Sequence, residues 1–186
     1  MKIVETSLPG ICLVEARKFA DERGWLAQTW NRASLVDGGI ATDWVQENYT
    51  HSRFPGTLRG LHFQAPPHAQ GKLILVTRGA VYDVAVDIRR GSPNFGRHIG
   101  IRLDSAEFVQ LWVPGGFAHG YLTLEPDTEV LYHLTAPYAP EAEGGIRWDD
   151  PALGIQWPSE PNLINQRDLA WPLLAELDTP FNYRSE

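Results

Sequence analysis

Arg59, His62 and Lys72 fall within one short stretch, LRGLHFQAPPHAQGKLILVTRG, residues 58–79. Imidazole takes up and releases a proton near neutral pH. A planar guanidinium grips two anionic oxygens at once, and an ammonium is a compact charge that can approach a single oxygen. By type, they offer a proton-transfer group and two cations suited to anionic oxygens. In the run Leu58–Phe63, strict alternation puts Leu58, Gly60 and His62 on one face and Arg59, Leu61 and Phe63 on the other. Arg59 and His62 therefore reach one site only if the strand twists or bulges between them. A second imidazole, His119, follows a Pro114-x-Gly116 turn in WVPGGFAHGYLTL. It is either a functional group or a satisfied core histidine that positions a loop.

Positioning these groups requires a scaffold, and the composition bounds it. At 186 residues and 43% hydrophobic, the chain is expected to form one domain over residues 1–186 with a proper core. The net charge of −7 argues against a nucleic-acid or membrane-surface binder. Arg53, Arg59, Lys72, Arg78, Arg89 and Arg90 nevertheless cluster along the chain. They suit a small anionic ligand, or else are ordinary solvated strand faces. The lone Cys12 fits a reducing compartment and reads as a packed residue rather than a nucleophile. MKIVETSLPG carries no apolar signal core, and no run approaches the ~20 apolar residues of a membrane span. A cytoplasmic protein is expected.

Ten short extended runs follow one another: 11–18, 25–31, 43–51, 58–63, 73–77, 80–88, 98–103, 109–113, 121–124 and 130–135. The run 80–88 alternates Tyr82, Val84, Val86 and Ile88 against Val81, Asp83, Ala85 and Asp87. Residues 32–38 can make one or two helical turns, and the tail from Pro158 is expected to wrap the body with short helices. Many short strands without a long amphipathic helix predict an all-β jelly-roll barrel.

Pro114-x-Gly116-x-x-His119 is similar to the second signature of the cupin barrel, a double-stranded β-helix. The partner signature carries His-x-His and a later Glu. Here that place reads His62-Phe63-Gln64, and no Glu lies between Phe63 and Gly79. A resident metal needs several imidazole or carboxylate ligands converging on it. The expectation is a barrel without a metal, whose histidines are free to move protons.

The runs LRGLHFQ, QGKLILVTRGAVYDVAVDIRRGSPNFG, LWVPGGFAHGYLTL and VLYHLTAPYAPEAEGGIRWDDPALGIQWP resemble the dTDP-4-dehydrorhamnose 3,5-epimerases over residues 19–168. The resemblance implies an isomerase of nucleotide-sugar (dTDP-rhamnose) biosynthesis that needs no cofactor. It inverts C3 and C5 of a dTDP-4-keto-6-deoxyhexose, the carbons flanking the C4 ketone. Such a reaction needs a base, a partner for the enolate oxygen, and an acid on the opposite face. The resemblance assigns His62 as base and Asp168, in NQRDLAWP, as the carboxylate that fixes its tautomer. It assigns Lys72 as oxyanion partner, against the alternative of a rim lysine paired with an acid. Tyr132, in VLYHLT, becomes the acid, since a phenol keeps its proton at neutral pH yet can yield it to an enolate; its alternative is an aromatic filling the core.

Diphosphate binding is implied for Arg59. Substrate contacts are implied for Phe19, Arg23, Gln28, Gln46, Glu47, Asn48, His119, Tyr138, Glu143 and Arg167. The segment with Phe19 and Arg23 is implied to cross a homodimer interface, with neither nucleic acid nor membrane as partner. Three positions depart from the family pattern: Gln28 replaces an acid, Arg167 a lysine, and Leu75 an arginine. None removes His62, Lys72, Tyr132 or Asp168. Other readings are inversion at one carbon only or isomerisation of the keto group, a sugar-binding cupin lacking catalysis, and a metal-dependent cupin dioxygenase. The presence of base and acid disfavours the third of these. Gln64 and the missing Glu disfavour the last.

Overall fold

The computed structural model describes residues 1–184. Thirteen strands follow in order: β1 (Lys2–Glu5), β2 (Cys12–Glu15), β3 (Lys18–Asp21), β4 (Gly24–Ala27), β5 (Gln46–Ser52), β6 (Leu58–Gln64), β7 (Lys72–Arg78), β8 (Ala80–Asp87), β9 (His98–Asp104), β10 (Val109–Val113), β11 (Phe117–Thr123), β12 (Thr128–Leu134) and β13 (Glu143–Gly145). Helix α1 (Arg32–Asp37) lies between β4 and β5, and α2 (Gln166–Leu169) lies in the tail. One sheet has the order β1-β2-β10-β7-β12-β5 and the other β13-β6-β11-β8-β9, while β3 and β4 form a separate hairpin. The named strand pairs are antiparallel. This is the jelly-roll architecture expected from the spacing of the runs.

Period-two alternation decides what each face meets. Ile74 and Val76 of β7 join Val81 and Ala85 of β8, with Leu111, Phe117 and Val130, in the core between the sheets. The other face of β8 (Val84, Val86) packs with Leu61, Phe63, Ile146, Leu153 and Phe181. Leu73 and Trp112 pack with Leu35 of α1 and with Ile40. Both outer faces are therefore apolar. The chain's ends cover them: α1 on one sheet, the tail on the other. Asn31 caps α1 by accepting from the Ser34 N–H.

The expected single run 11–18 is broken into β2 and β3, which pair with different partners. β11 begins at Phe117, four residues before the expected run, immediately after the Gly116 turn. β1 and β13 were not expected. β13 is three residues long with two glycines, so it carries no hydrophobic alternation to read.

β6 and β11 hold the feature that matters most for function. His119 pairs with His62 and Tyr121 with Arg59, so two steps on β11 face three on β6. The extra residue is a bulge, and it returns Arg59 and His62 to one face. Glycines allow the close approach there. Gly60 has φ +127, and a Cβ on it would lie 2.5 Å from the Gly120 Cα. A Cβ on Gly120 would lie 2.5 Å from the Arg59 carbonyl oxygen. Gly120→Ala is expected to destabilise the fold by about 3 kcal/mol, the upper end for overpacking, because the obstruction is backbone. A lowered urea midpoint at unchanged slope would show it; an unchanged midpoint would mean the strands part without cost.

Candidate active site

A cavity of about 210 Å³ opens between the two sheets at the bulge. His62, His119, Arg59 and Glu143 line it from the five-stranded sheet; Lys72, Tyr132, Gln46 and Asn48 line it from the six-stranded one. The imidazole and the Tyr132 phenol thus stand on opposite walls.

His62 is held from a distant part of the chain. Its Nε2 lies 2.7 Å from Asp168 Oδ1. A carboxylate only accepts, so Nε2 carries a hydrogen, and it is the Nε2–H tautomer of the neutral ring that would leave the Nδ1 lone pair for a proton. Asp168 is fully buried. Its other oxygen accepts the Gly60 N–H at 3.0 Å, a donor supplied by the bulge. Asn165 caps the short helix α2 by accepting the Asp168 N–H at 2.7 Å. Burial pushes the Asp168 carboxyl up, but the hydrogen bond and charge of His62, the Gly60 N–H and Arg167 outweigh it and hold it below its ordinary value.

Lys72 begins β7 on the inward face. Burial pushes its pKa down to about 8, against the pull of Asp83 and Glu143. Asp83, from β8, is fully buried and accepts from His119 Nε2 at 2.7 Å. Its Oδ2 is also buried and has no hydrogen-bond partner among the described residues. One carboxylate thus orients His119 and supports the charge of Lys72. Tyr121 lies beside them, 3.0 Å from Thr50 Oγ1, with burial pushing its hydroxyl up to about 12.

A polar string crosses the mouth. Arg167 donates to Glu143 Oε2 at 2.5 Å, and the Tyr138 hydroxyl donates to the same oxygen at 3.0 Å. That bond raises the Tyr138 pKa. The Tyr138 backbone N–H donates to Gln46 Oε1 at 2.8 Å, and Gln46 Nε2 donates to Asn48 Oδ1 at 2.9 Å. Arg59 is exposed at the rim. Gln64, which stands where a ligand histidine was sought, spends its carboxamide on the backbone: it donates to His68 and Pro137 carbonyls and accepts from the Ala139 N–H.

The cavity therefore gathers His62, Lys72, Tyr132, Asp168, Arg59, Gln46, Asn48, His119, Tyr138, Glu143 and Arg167. Glu47 lies outside this cavity. β5 alternates, so Glu47 turns to the outer face and meets His133 Nδ1 at 3.1 Å. Within one chain, Phe19, Arg23 and Gln28 also lie away from the cavity. Phe19 is exposed on the β3–β4 hairpin, Arg23 in its turn pairs with Asp21, and Gln28 is exposed just beyond. Leu75 is buried on β7 outside the cavity lining, so its departure from the pattern leaves the site untouched. Asp83, Tyr121, Thr50 and Asn165 were missed. Two carboxylates, Asp83 and Asp87, on one face of a largely apolar strand are the signal for Asp83, and Asn165 three residues before Asp168 is a capping spacing. Cys12 is a packed residue, its thiol pushed up by burial and by Glu5.

The arrangement has close counterparts. A family model described as dTDP-4-dehydrorhamnose 3,5-epimerase matches residues 5–176. The epimerase of that name from Sinorhizobium fredii is 45% identical over 182 residues, covering 95% of this chain and 91% of that protein. The solved dTDP-6-deoxy-D-glucose-3,5-epimerase from Legionella pneumophila, in complex with dTDP-4-keto-L-rhamnose, superposes with a TM-score of 0.94. It is 37% identical and covers 99% of both chains. A 3'-monoepimerase from Streptomyces bikiniensis, in complex with dTDP-quinovose, superposes at 0.87. It is 32% identical and covers 92% of this chain and 87% of its own. Sequence and fold agree along nearly the whole length, and on that ground this chain belongs to the dTDP-4-dehydrorhamnose 3,5-epimerase family.

Proposed function

We propose that this protein is a single-domain, cofactor-free isomerase that inverts C3 and C5 of dTDP-4-dehydro-6-deoxy-D-glucose to form dTDP-4-dehydro-L-rhamnose. His62 Nδ1 removes the proton from a carbon beside the C4 ketone, and Asp168 steadies the imidazolium that results. The Lys72 ammonium stabilises the enolate oxygen. Tyr132 returns a proton from the other side, and Arg59 receives the diphosphate. The observation that carries this reading is the placing of imidazole and phenol on opposite walls of one cavity. Inversion needs its two proton transfers on opposite faces of the carbon.

Incubation with dTDP-4-keto-6-deoxyglucose in deuterated water tests it. NMR should show deuterium at both C3 and C5 of the L-sugar product. No incorporation at either carbon would sink the reading. Incorporation at one carbon alone would establish the second reading, a mono-epimerase, which the related 3'-monoepimerase favours. Tyr132→Phe should still exchange hydrogen with solvent while net inversion falls about 10²-fold. An unchanged yield of inverted product would remove Tyr132 as the acid.

A homodimer belongs to the same proposal. Phe19, Trp25 and Leu26 are exposed on the β3–β4 hairpin, and Val45 just before the edge strand β5 and Tyr49 within it are exposed too. Apolar exposure of this kind fits an interface. A partner's hairpin is the route by which Phe19, Arg23 and Gln28 would reach a substrate. The lone cysteine supports a cytoplasmic location, and no helix among the described residues is long and apolar enough to cross a membrane.

A further inference from the structure

The chain that delivers Asp168 to His62 also delivers an indole. Trp171 follows α2 by two residues, and its ring centroid lies 6.1 Å from that of His62 at an interplanar angle of 73°. Gly145 is the cross-strand partner of His62, so the two positions project to the same side of the sheet. A Cβ on Gly145 would sit 2.6 Å from three indole atoms, Cδ2, Cε2 and Nε1. The indole therefore lies flat on the bare backbone of Gly145, in the space its missing side chain leaves open. The segment is pinned beside it, since the Arg147 N–H donates to the Pro172 carbonyl at 2.9 Å.

Trp171 is not among the residues that line the cavity. Its Nε1 is buried and finds no hydrogen-bond partner among the described residues. A space filler alone would be better served by a ring without a donor to desolvate. What distinguishes this position is its neighbour. Asp168 holds the imidazole at Nε2, and Trp171 packs against the same ring.

We propose that Trp171 is a positioning residue for the base. Seated on Gly145, it stops the His62 ring from swinging about its χ angles, so that Nε2 stays on Asp168 and Nδ1 stays toward the cavity. It also closes that flank of the dyad to water. This inference rests on His62 being the base.

The test uses the full-length protein and four variants: Trp171→Ala, Trp171→Phe, Gly145→Ala and the Trp171→Ala/Gly145→Ala double. Trp171→Ala should lower kcat between about tenfold and 10²-fold, the scale of a misplaced catalytic group, with KM within about twofold. Trp171→Phe should recover most of the loss, since a ring still bears on the imidazole. Gly145→Ala should reproduce the loss with the tryptophan intact, because its methyl group displaces the indole. In the double variant Gly145→Ala should add nothing. The ¹⁵N signals of His62 should report a single Nε2–H tautomer in the unsubstituted protein and a mixture in Trp171→Ala and Gly145→Ala.

Unchanged kcat in Trp171→Ala, a loss confined to KM, or a loss that tracks the unfolded fraction while the His62 signals stay unchanged would each overturn the proposal. Additive losses in the double variant would also overturn it, because the glycine would then act by another route. His62→Ala measured alongside separates the two levels. If it keeps solvent exchange, the base assignment fails. If it loses exchange while the Trp171 variants behave as unsubstituted protein, only the positioning role fails.

Discussion

His62→Ala is expected to lower exchange of the C3 and C5 hydrogens with solvent by about 10² to 10⁴-fold, the range contributed by a positioned general base. Binding of dTDP should change little, because the imidazole sits in the cavity and the guanidinium of Arg59 at its rim. Asp168→Asn should approach the same loss. The carboxylate accepts from Nε2 at 2.7 Å and from the Gly60 N–H at 3.0 Å. An amide at that place offers a donor on one side, which disfavours the Nε2–H tautomer and leaves no charge to steady an imidazolium. The measurement is deuterium wash-in followed by NMR, with dTDP affinity determined in parallel. Exchange at the unsubstituted rate in His62→Ala would move the base elsewhere in the cavity.

Lys72→Met should cost about 10²–10³-fold in kcat, as loss of one oxyanion donor does elsewhere. The unsubstituted enzyme should also show an alkaline limb in its pH profile. The ammonium is the useful form, and burial pushes its pKa down to about 8. Below about pH 8 the charge is present; above it the proton leaves and the enolate oxygen loses its partner. Asp83 is one of two carboxylates that resist this fall. Asp83→Asn should therefore move the limb to lower pH, since the ammonium loses a supporting charge. A limb that stays in place in Lys72→Met would belong to another group and would sink the assignment.

Different parts of the molecule were legible to different degrees. β8 was readable because its alternation is unbroken and both faces carry apolar residues: Val81 and Ala85 turn to one core, Val84 and Val86 to another. In β5 the same alternation already put Gln46 and Asn48 opposite Glu47. The structure follows the alternation, with Glu47 on His133 rather than in the cavity. The alternation in β6 misleads. It sets Arg59 and His62 on opposite faces, and only the extra residue against β11 brings them together. Trp171 gave little to read, because its importance depends on His62, about a hundred residues away in sequence.

The amino-acid sequence determined which side chains share a face within each strand free of a bulge, the all-β architecture, and the inventory of base, cation, phenol and carboxylate. Those properties are local, since a pleated strand alternates with period two wherever it lies. The tertiary structure alone decided which faces meet. It set Gly60 against Gly120 so closely that β6 bulges there. It carried Asp168 across 106 residues to the imidazole. It also buried an ammonium beside Asp83, so that Lys72 titrates near 8 rather than at its ordinary value. Strand pairing, close approach and desolvation are interactions between distant segments, and no alternation within one segment encodes them.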